Sequence, residues 1–552
     1  MSAGTKPDRA DVLVIGSGMA GGAISKILAE AGLRVVCLEQ GPWVPPEQFP
    51  HTSPDYEIQR LMGRWHTSPN VRHLPQDYPV TGDSVLPLLH NGVGGSTIHY
   101  TGTWPRFRPS DFRRGTEHGL SPDWPLTYED LHPYYAINDR EMGIAGLHGD
   151  PAFPAREQRQ TPPIPYGRMG RLAARGFEQL GWHWWPCDMA IITEDYDGRQ
   201  ACVNCSNCQS GCPRGSIANV AVTYWPKALR AGADLRPDCR VLEIILDAAG
   251  RATGAVYVDR LTGIRYHQEA DVVIVACNGI GTPRLLLACQ SGRFPHGLAN
   301  SSDQVGRNLM HHGIGLVDCY VEERLDSHIG AISSPLYSAE FAETDLSRGC
   351  VNGVSLLTCR SNGAGYQALG GHAGPRAPWG AGHHAWFRRH FDHVLSILVY
   401  TEDLPLPNNR VTLDPQVTDS DGIPAPHVEY SLHPNDRKLL DFGIARALEV
   451  AEAIGAFETY VQTYKTPARS YQPPAWHLLG TCRMGDDPAS SVTNRWHQSW
   501  DVPNLYVCDG SSMVTCASIN PTSTIGAMAV RCAMHLRDNF AALRGATRTN
   551  AD

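Results

Sequence analysis

Residues 11–39 read DVLVIGSGMAGGAISKILAEAGLRVVCLE. The opening DVLVI is short, continuous and β-branched, the composition of a strand buried in a parallel sheet. A helical stretch runs on through Ala31, and RVVCLE at 34–39 predicts a second strand. That order is one βαβ unit. Between strand and helix, Gly16-Ser17-Gly18-Met19-Ala20-Gly21 fits G-x-G-x-x-G in the setting the motif requires. The first glycine permits the tight turn, the second lets a pyrophosphate approach the backbone, and the third lets helix and strand pack closely. The helix N-terminus offers free N–H groups and the positive end of its dipole to the phosphates. Glu39 ends the second strand, where an acidic side chain can bind a ribose hydroxyl. The motif predicts a dinucleotide site and does not separate NAD from FAD.

Working outward, DVVIVA at 271–276 predicts another buried strand, followed by a turn and the amphipathic helix PRLLLACQ. NLYVC at 504–508 predicts a further one, followed by Asp509 and Gly510. After Pro521, TSTIGAMAVRCAMHLRDNF has helical spacing of apolar residues. Residues 393–430 alternate apolar and polar (HVLSILVYTEDLP, NRVTLDP, APHVEYSL), which predicts antiparallel strands half buried on one face. Residues 150–200 are rich in Pro and aromatics, and the Gly- and His-rich 360–385 reads as an exposed loop. Nucleotide-type strands occur at both ends and in the middle, so a second domain is inserted between them.

The chain has 552 residues, which implies two or more domains. Hydrophobic residues make up 42% and charged residues 19%, an ordinary globular composition. Lys plus Arg is 47 against Asp plus Glu at 56, a net charge of -9, with no basic run. Such a surface repels nucleic acid. No apolar run reaches the ~18 residues from which a transmembrane helix is read. The N-terminus MSAGTKPDRADVLVIGSG has no basic region followed by an apolar stretch and no twin arginine. No export signal is read there, which favours the cytoplasm, or the periplasm if a signal-bearing partner carries the chain. The 16 Cys are not a disulfide-scaffold density. Cys277 in VVIVACNG and Cys508 in LYVCDG read as small buried hydrophobes.

Four further blocks lie around the glycine motif. They are NGVGGSTIHYTGTW at 91–104, WPLTYEDLHPYYAINDREMGIAG from Trp124, CNGIGTPRLLLACQ through VGRNLMHH at 277–312, and HLLGTCRMG, LYVCDGSSM and INPTSTIGAMAVR within 477–532. In this order they resemble the signature blocks of the glucose-methanol-choline (GMC) oxidoreductase family, over essentially the whole chain and most weakly in the substrate region. The resemblance implies an α/β fold: a Rossmann-like FAD-binding domain with an inserted antiparallel-sheet substrate domain. It divides the chain into 1–312 (FAD-binding, first part, with lid and Cys-rich segments), 313–471 (mainly substrate-binding) and 472–545 (FAD-binding, C-terminal part with the catalytic residues).

The same resemblance implies FAD as cofactor. Gly94, Gly95 and Ser96 would run along the flavin, and Val241 joins the cofactor-binding set. Asp509 and Gly510 would meet the flavin phosphate or ribityl region. Pro521 and Thr522 sit where a helix N-terminus would face the flavin C2 oxygen and stabilise the anionic reduced form. The family's catalytic His in H-x-x-G-T-C is matched by His477, and its second catalytic residue by Asn520 in INPTST. Alcohol oxidation needs a hydroxyl proton removed while hydride leaves the carbon, and a His can accept that proton near neutral pH. Asn is no base, but its amide can hold the hydroxyl in line. His99 in G-G-S-T-I-H-Y-T resembles the flavin-linked His in G-G-x-S-T-H-W-T of pyranose oxidases. The other reading is a His packed beside a noncovalent flavin.

Cys202, Cys205, Cys208 and Cys212, followed by Pro213, form C-x2-C-x2-C-x3-C-P, the bacterial ferredoxin run. Four soft sulfurs suit an iron–sulfur cluster or zinc. Multi-subunit, membrane-linked sugar dehydrogenases of the family carry a cluster in the corresponding segment. Cys202, Cys208 and Cys212 match their ligands and Cys205 departs from them, so a three-iron or a four-iron cluster is implied. The other reading is a loop bordering the flavin domain. A cluster would pass electrons to an external acceptor, a cytochrome or quinone, with a small partner subunit. Residues 94–112 and 124–185 look most like glycoside 3-dehydrogenases and related sugar or polyol dehydrogenases. Trp182, Trp184, Trp185 or Trp476 could stack on pyranose faces. The implied reaction is oxidation of a secondary alcohol of a sugar, glycoside or cyclic polyol to the ketone. The alternatives are an oxidase releasing hydrogen peroxide, a sterol- or choline-type alcohol dehydrogenase, a lyase, and an electron-transfer subunit.

Overall fold

The computed structural model describes residues 9–49, 51, 55–57, 74, 76–82, 85–206, 208–331, 335–361, 363–369, 377–466 and 474–548. Strand β1 (Ala10–Ile15) is buried along its whole length, as its apolar run predicts. Helix α1 (Met19–Glu30) returns the chain to β2 (Val35–Leu38), which pairs parallel to β1. The strand Arg265–Val275 lies on the other side of β1. Its second half runs parallel to both β1 and Leu505–Val507. Its first half pairs antiparallel with Ala252–Asp259, which pairs in turn with Cys239–Leu246. Asp234–Arg236 closes the far edge against β2, making seven strands. The sheet thus carries all four strands expected from the sequence. Helix α1 packs against the C-terminal helix Thr522–Arg548 on one face, and Asn278–Ala288 covers the other. None of the 16 Cys is in a disulfide. Cys508 is buried as expected, whereas Cys277 is half-buried, its thiol donating to the Ile15 carbonyl at 3.2 Å.

The second sheet has six antiparallel strands in the order Glu458–Gln462, Gly313–Tyr320, Val394–Thr401, Val354–Cys359, Leu336–Phe341 and Trp185–Pro186. Val394–Thr401 is buried on both faces, where the sequence pattern predicts one. Leu395, Ile397 and Val399 point to a core formed with the helices Gly167–Leu180 and Pro434–Ala453. Leu398 and Tyr400 point the other way, to a core shared with Met310, Leu479 and Met513. Alternation at period two assigns each side chain its face. It reads as half burial in sequence only when the second face meets water, and here that face meets the loops that carry Met310, Leu479 and Met513. The 360–385 stretch holds the helix Ala364–Ala368 and the start of His383–His390, and its residues 362 and 370–376 lie outside the described ones.

Candidate active site

The turn after β1 cannot carry a side chain at its first or third motif glycine. Gly16 has φ +100°, and a Cβ there would lie 2.4 Å from the Ala276 carbonyl oxygen. A Cβ on Gly21 would lie 1.9 Å from the Gly16 carbonyl oxygen. The second glycine pair docks onto this turn: a Cβ on Gly95 would lie 2.8 Å from the Gly18 Cα. Helix α1 begins with no side-chain cap and no acid in its first turn, so its open N–H groups suit an anion. Glu39 closes the loop from below. Its Oε2 accepts from the Ser17 amide at 3.0 Å and hydroxyl at 2.7 Å, and its Oε1 from the Gly41 amide at 3.0 Å. Burial raises its pKa. The Cys239 amide donates to the Glu39 carbonyl at 2.7 Å, which brings Val241, on the same strand, to this end of the site. Ser96 is exposed in the turn that follows Gly95.

His99 ends that turn, buried against His90. Its Nδ1 lies 2.9 Å from the Gln209 carbonyl oxygen. A carbonyl only accepts, so Nδ1 carries the hydrogen and Nε2 the lone pair. Burial holds the pKa down to about 4, so the ring is neutral at neutral pH.

His477 and Asn520 meet. The Asn520 Nδ2 lies 3.3 Å from the His477 Nε2. Backbone pairing brings the elements together: Met310 and Leu479 exchange amide–carbonyl hydrogen bonds at 3.0 Å each, and the Gly480 amide donates to Gly510 at 3.0 Å. The first contact also sets His312 beside His477, with Nδ1 atoms 3.0 Å apart. The Tyr400 ring stacks on His477 at 5.7 Å. Burial first, then the imidazoles of His312 and His311, keep the His477 pKa well below the usual value. Asp509 ties its own turn to the start of the Asn278–Ala288 helix: its carboxylate accepts from the Asn278 amide at 2.9 Å, the Thr282 hydroxyl at 2.6 Å and the Ser511 amide at 2.7 Å. Pro521 and Thr522 open the C-terminal helix, anchored where Tyr135 meets Thr524 at 2.7 Å and Asn138 donates to the Ser523 carbonyl at 3.2 Å.

His312 and Tyr400 escaped the sequence reading. The adjacent His311-His312 pair at the end of VGRNLMHH was a signal for the first. The second depends on strand parity within a sheet. Of the tryptophans, Trp476 adjoins His477. Trp182 and Trp184 pack into the core between the Gly167–Leu180 helix and the six-stranded sheet, on the face opposite Tyr400. Trp185 sits on an edge strand and donates to the Leu147 carbonyl at 3.0 Å.

Cys202, Cys205, Cys208 and Cys212 line one small pocket, with His51 and Arg214. Asn204 and Ser206, on either side of Cys205, have φ +58° and +67°, so the loop turns sharply there. The donor set is right for a cluster. Among the described residues, however, no three His, Cys, Asp or Glu side chains converge to metal-binding distance.

Two family models match the chain, both described as GMC oxidoreductase, over residues 157–314 and 405–529. The chain is 50% identical over 540 residues to a 2-methyl-1,2-propanediol dehydrogenase from Mycolicibacterium austroafricanum, covering 97% of this chain and 96% of that one. This chain is a GMC oxidoreductase. The GMC chain is also 31% identical to the fructose dehydrogenase large subunit of Gluconobacter japonicus, over 95% of this chain and 97% of that one. Formate oxidase from Aspergillus oryzae shares the fold at TM-score 0.67 and 16% identity, with 98% and 100% of the two chains covered. Membership makes the chain an FAD-dependent oxidoreductase acting on CH–OH groups. The paired glycine loops fit FAD, because both lack the side chains that would bar a pyrophosphate and an isoalloxazine from the backbone. Among the described residues no helix is long and apolar enough to cross a membrane.

Proposed function

We propose that this enzyme oxidises a carbinol of a sugar, glycoside or small polyol to the carbonyl, with His477 as base and Asn520 as its positioning partner, and that the electrons leave to an acceptor other than oxygen. The observation that supports this most is the half-buried, neutral His477 with Nε2 facing Asn520. A neutral imidazole can take the hydroxyl proton, and the Asn520 amide can align the oxygen. FAD supplies the hydride acceptor. Gly16, Gly18, Gly21 and Glu39 would hold its pyrophosphate and ribose, with Val241 alongside. Gly94, Gly95, Ser96, Asp509, Gly510, Pro521 and Thr522 would hold the flavin part.

The family resemblance favours a secondary alcohol of a ring. The name of the 50%-identical relative broadens the search, because its diol bears no hydrogen at C2 and can lose hydride only from C1. Fructose and that diol share adjacent hydroxyls, so vicinal diols come first in a screen. Anaerobic addition of 2-methyl-1,2-propanediol, fructose and methyl glycosides to the holoenzyme should bleach the flavin bands with at least one of them. His477→Ala should slow that bleaching at least ~100-fold with flavin still bound; an unchanged rate removes His477 as base. Peroxide released at the turnover rate would establish the oxidase alternative.

The Cys-rich pocket is proposed to hold an iron–sulfur cluster, supported by four thiols on one cavity. A cluster supplies one-electron transfer. Iron and acid-labile sulfide in stoichiometric amounts are expected in anaerobically purified protein, and their absence would leave the segment as a structural loop. A small subunit, a cytochrome or quinone acceptor, and residence in the cytoplasm, or the periplasm through a signal-bearing partner, belong to the same proposal. So does the division at 312 and 471, the latter outside the described residues. A flavin link at His99 would keep colour in acid-precipitated protein.

A further inference from the structure

His477 has a second imidazole against its back. The rings of His477 and His312 cross at 79° with centroids 4.8 Å apart, and their Nδ1 atoms are 3.0 Å apart. Two neutral ring nitrogens at that distance share one hydrogen, so one donates and the other accepts. Asn520 settles which. Its Nδ2 is a donor and faces His477 Nε2. Nε2 therefore carries the lone pair, and the ring's hydrogen sits on Nδ1, donated to His312.

The backbone holds His312 in place. Its φ is +76°, in the left-handed region that non-glycine residues seldom occupy. The amides of His311 and His312 both donate to Asp403 Oδ2 at 3.0 Å, and the Tyr430 hydroxyl donates to the same oxygen at 2.7 Å. One carboxylate thus clamps a strained turn, as functional sites often require. The His312 ring is fully buried.

We propose that His312 is a positioning residue for the base: it accepts from His477 Nδ1, fixes the tautomer that leaves Nε2 free, and stabilises the imidazolium formed when Nε2 takes the substrate's proton. This rests on His477 being the base. In the step, the carbinol O–H bond breaks and an N–H bond forms at His477 Nε2. The carbon's hydride, with its electron pair, goes to the flavin of the established activity. The positive charge stays on His477, and its Nδ1–H is donated more strongly to the His312 lone pair.

The neutrality of this partner matters. The groups facing the pair are the His311 ring, itself packed on Tyr430 at 4.1 Å, the Tyr400 phenol, the Asn520 amide, the Cys516 and Ala517 backbone and Asp403. Asp403 is the charged one, and its Oδ2 is engaged by the two amides and Tyr430. A carboxylate in place of His312 would raise the His477 pKa, whereas an imidazole leaves the base free to lower pH. Burial holds His312 itself down to about 4.

The test is the pH profile of anaerobic flavin reduction in the holoenzyme. His312→Asp and His312→Asn both suit a left-handed backbone. The Asp variant should move the acid limb upward by about one pH unit or more, a tenfold rate loss below it. The Asn variant should leave the limb in place. Ring nitrogen-15 shifts of His477, assigned by their loss in His477→Ala, give a second readout. Nε2 should be the lone-pair nitrogen in the wild type and become N–H in His312→Phe, which cannot accept. An unmoved limb in a flavin-loaded Asp variant overturns the inference, and so does an N–H at Nε2 in the wild type, which needs no variant. Normal flavin reduction in His477→Ala would instead sink the base reading beneath it.

Discussion

His497 is buried, with Nδ1 3.2 Å from the Ser512 hydroxyl. Burial, helped by the nearby Arg531 charge, holds its pKa down to about 3. In the unfolded chain the ring titrates near ~6.5. Between those values the unfolded chain binds a proton that the folded one refuses. The stability from this group is therefore full above ~6.5 and lost as pH falls toward about 3, at about 1.4 kcal/mol per pH unit. His99 and His312, both held near about 4, act with the same sign. His497→Asn keeps a residue that tolerates φ +66° and removes one titration. Urea midpoints at neutral and mildly acid pH should lie closer together in the variant than in the wild type. An equal spread would place the acid sensitivity at other groups.

At the scale of elements, the Pro434–Ala453 helix approaches the six-stranded sheet through Gly443. A Cβ there would lie 2.5 Å from Val399 Cγ1 and 2.8 Å from Val354 Cγ1. Both neighbours are β-branched and stiff, so neither yields easily. Gly443→Ala gains about 1 kcal/mol of helix propensity but forces apart a packed face, which costs about 1–3 kcal/mol. A net loss is expected in denaturant unfolding, and a gain would mean the helix can slide. This contact also shows what sequence can reveal. The βαβ unit at 11–39 is legible because strand, turn and helix are neighbours in the chain, and each glycine answers a local steric demand. His477 and Asn520 are legible through a resemblance to whole motifs. Tyr400 is not, because its face depends on which strands flank Val394–Thr401, and those come from 313–320 and 354–359. His312 lay within a quoted motif, but its role depends on a pairing with residue 479. The Cys spacing suggests ligands, and spacing alone cannot say whether four thiols converge.

At the scale of the whole molecule, the proposed cofactor site is assembled from distant parts of the chain. Residues 16–39 come from one end, 94–99 from a later turn, and 509–522 from the last strand and helix. The two glycine loops meet backbone to backbone, at Gly18 and Gly95 and where the Gly94 amide donates to the Ser17 carbonyl at 3.3 Å. The six-stranded sheet has its own core under the Pro434–Ala453 helix and does not depend on that contact. A ligand that binds the folded state alone stabilises it by mass action, about 2.7 kcal/mol at a concentration of ~100 times Kd. Stripping FAD should therefore lower the melting temperature, and adding it back should restore it. The loss should also be uneven. Amides of 94–99 and of the first turn of α1 should exchange faster in the apoprotein, while those of Val394–Thr401 keep their protection, because local stability follows local packing. Uniform loss of protection across both sheets would mean that the two cores unfold as one unit and that the flavin holds the whole chain together, not the nucleotide half alone.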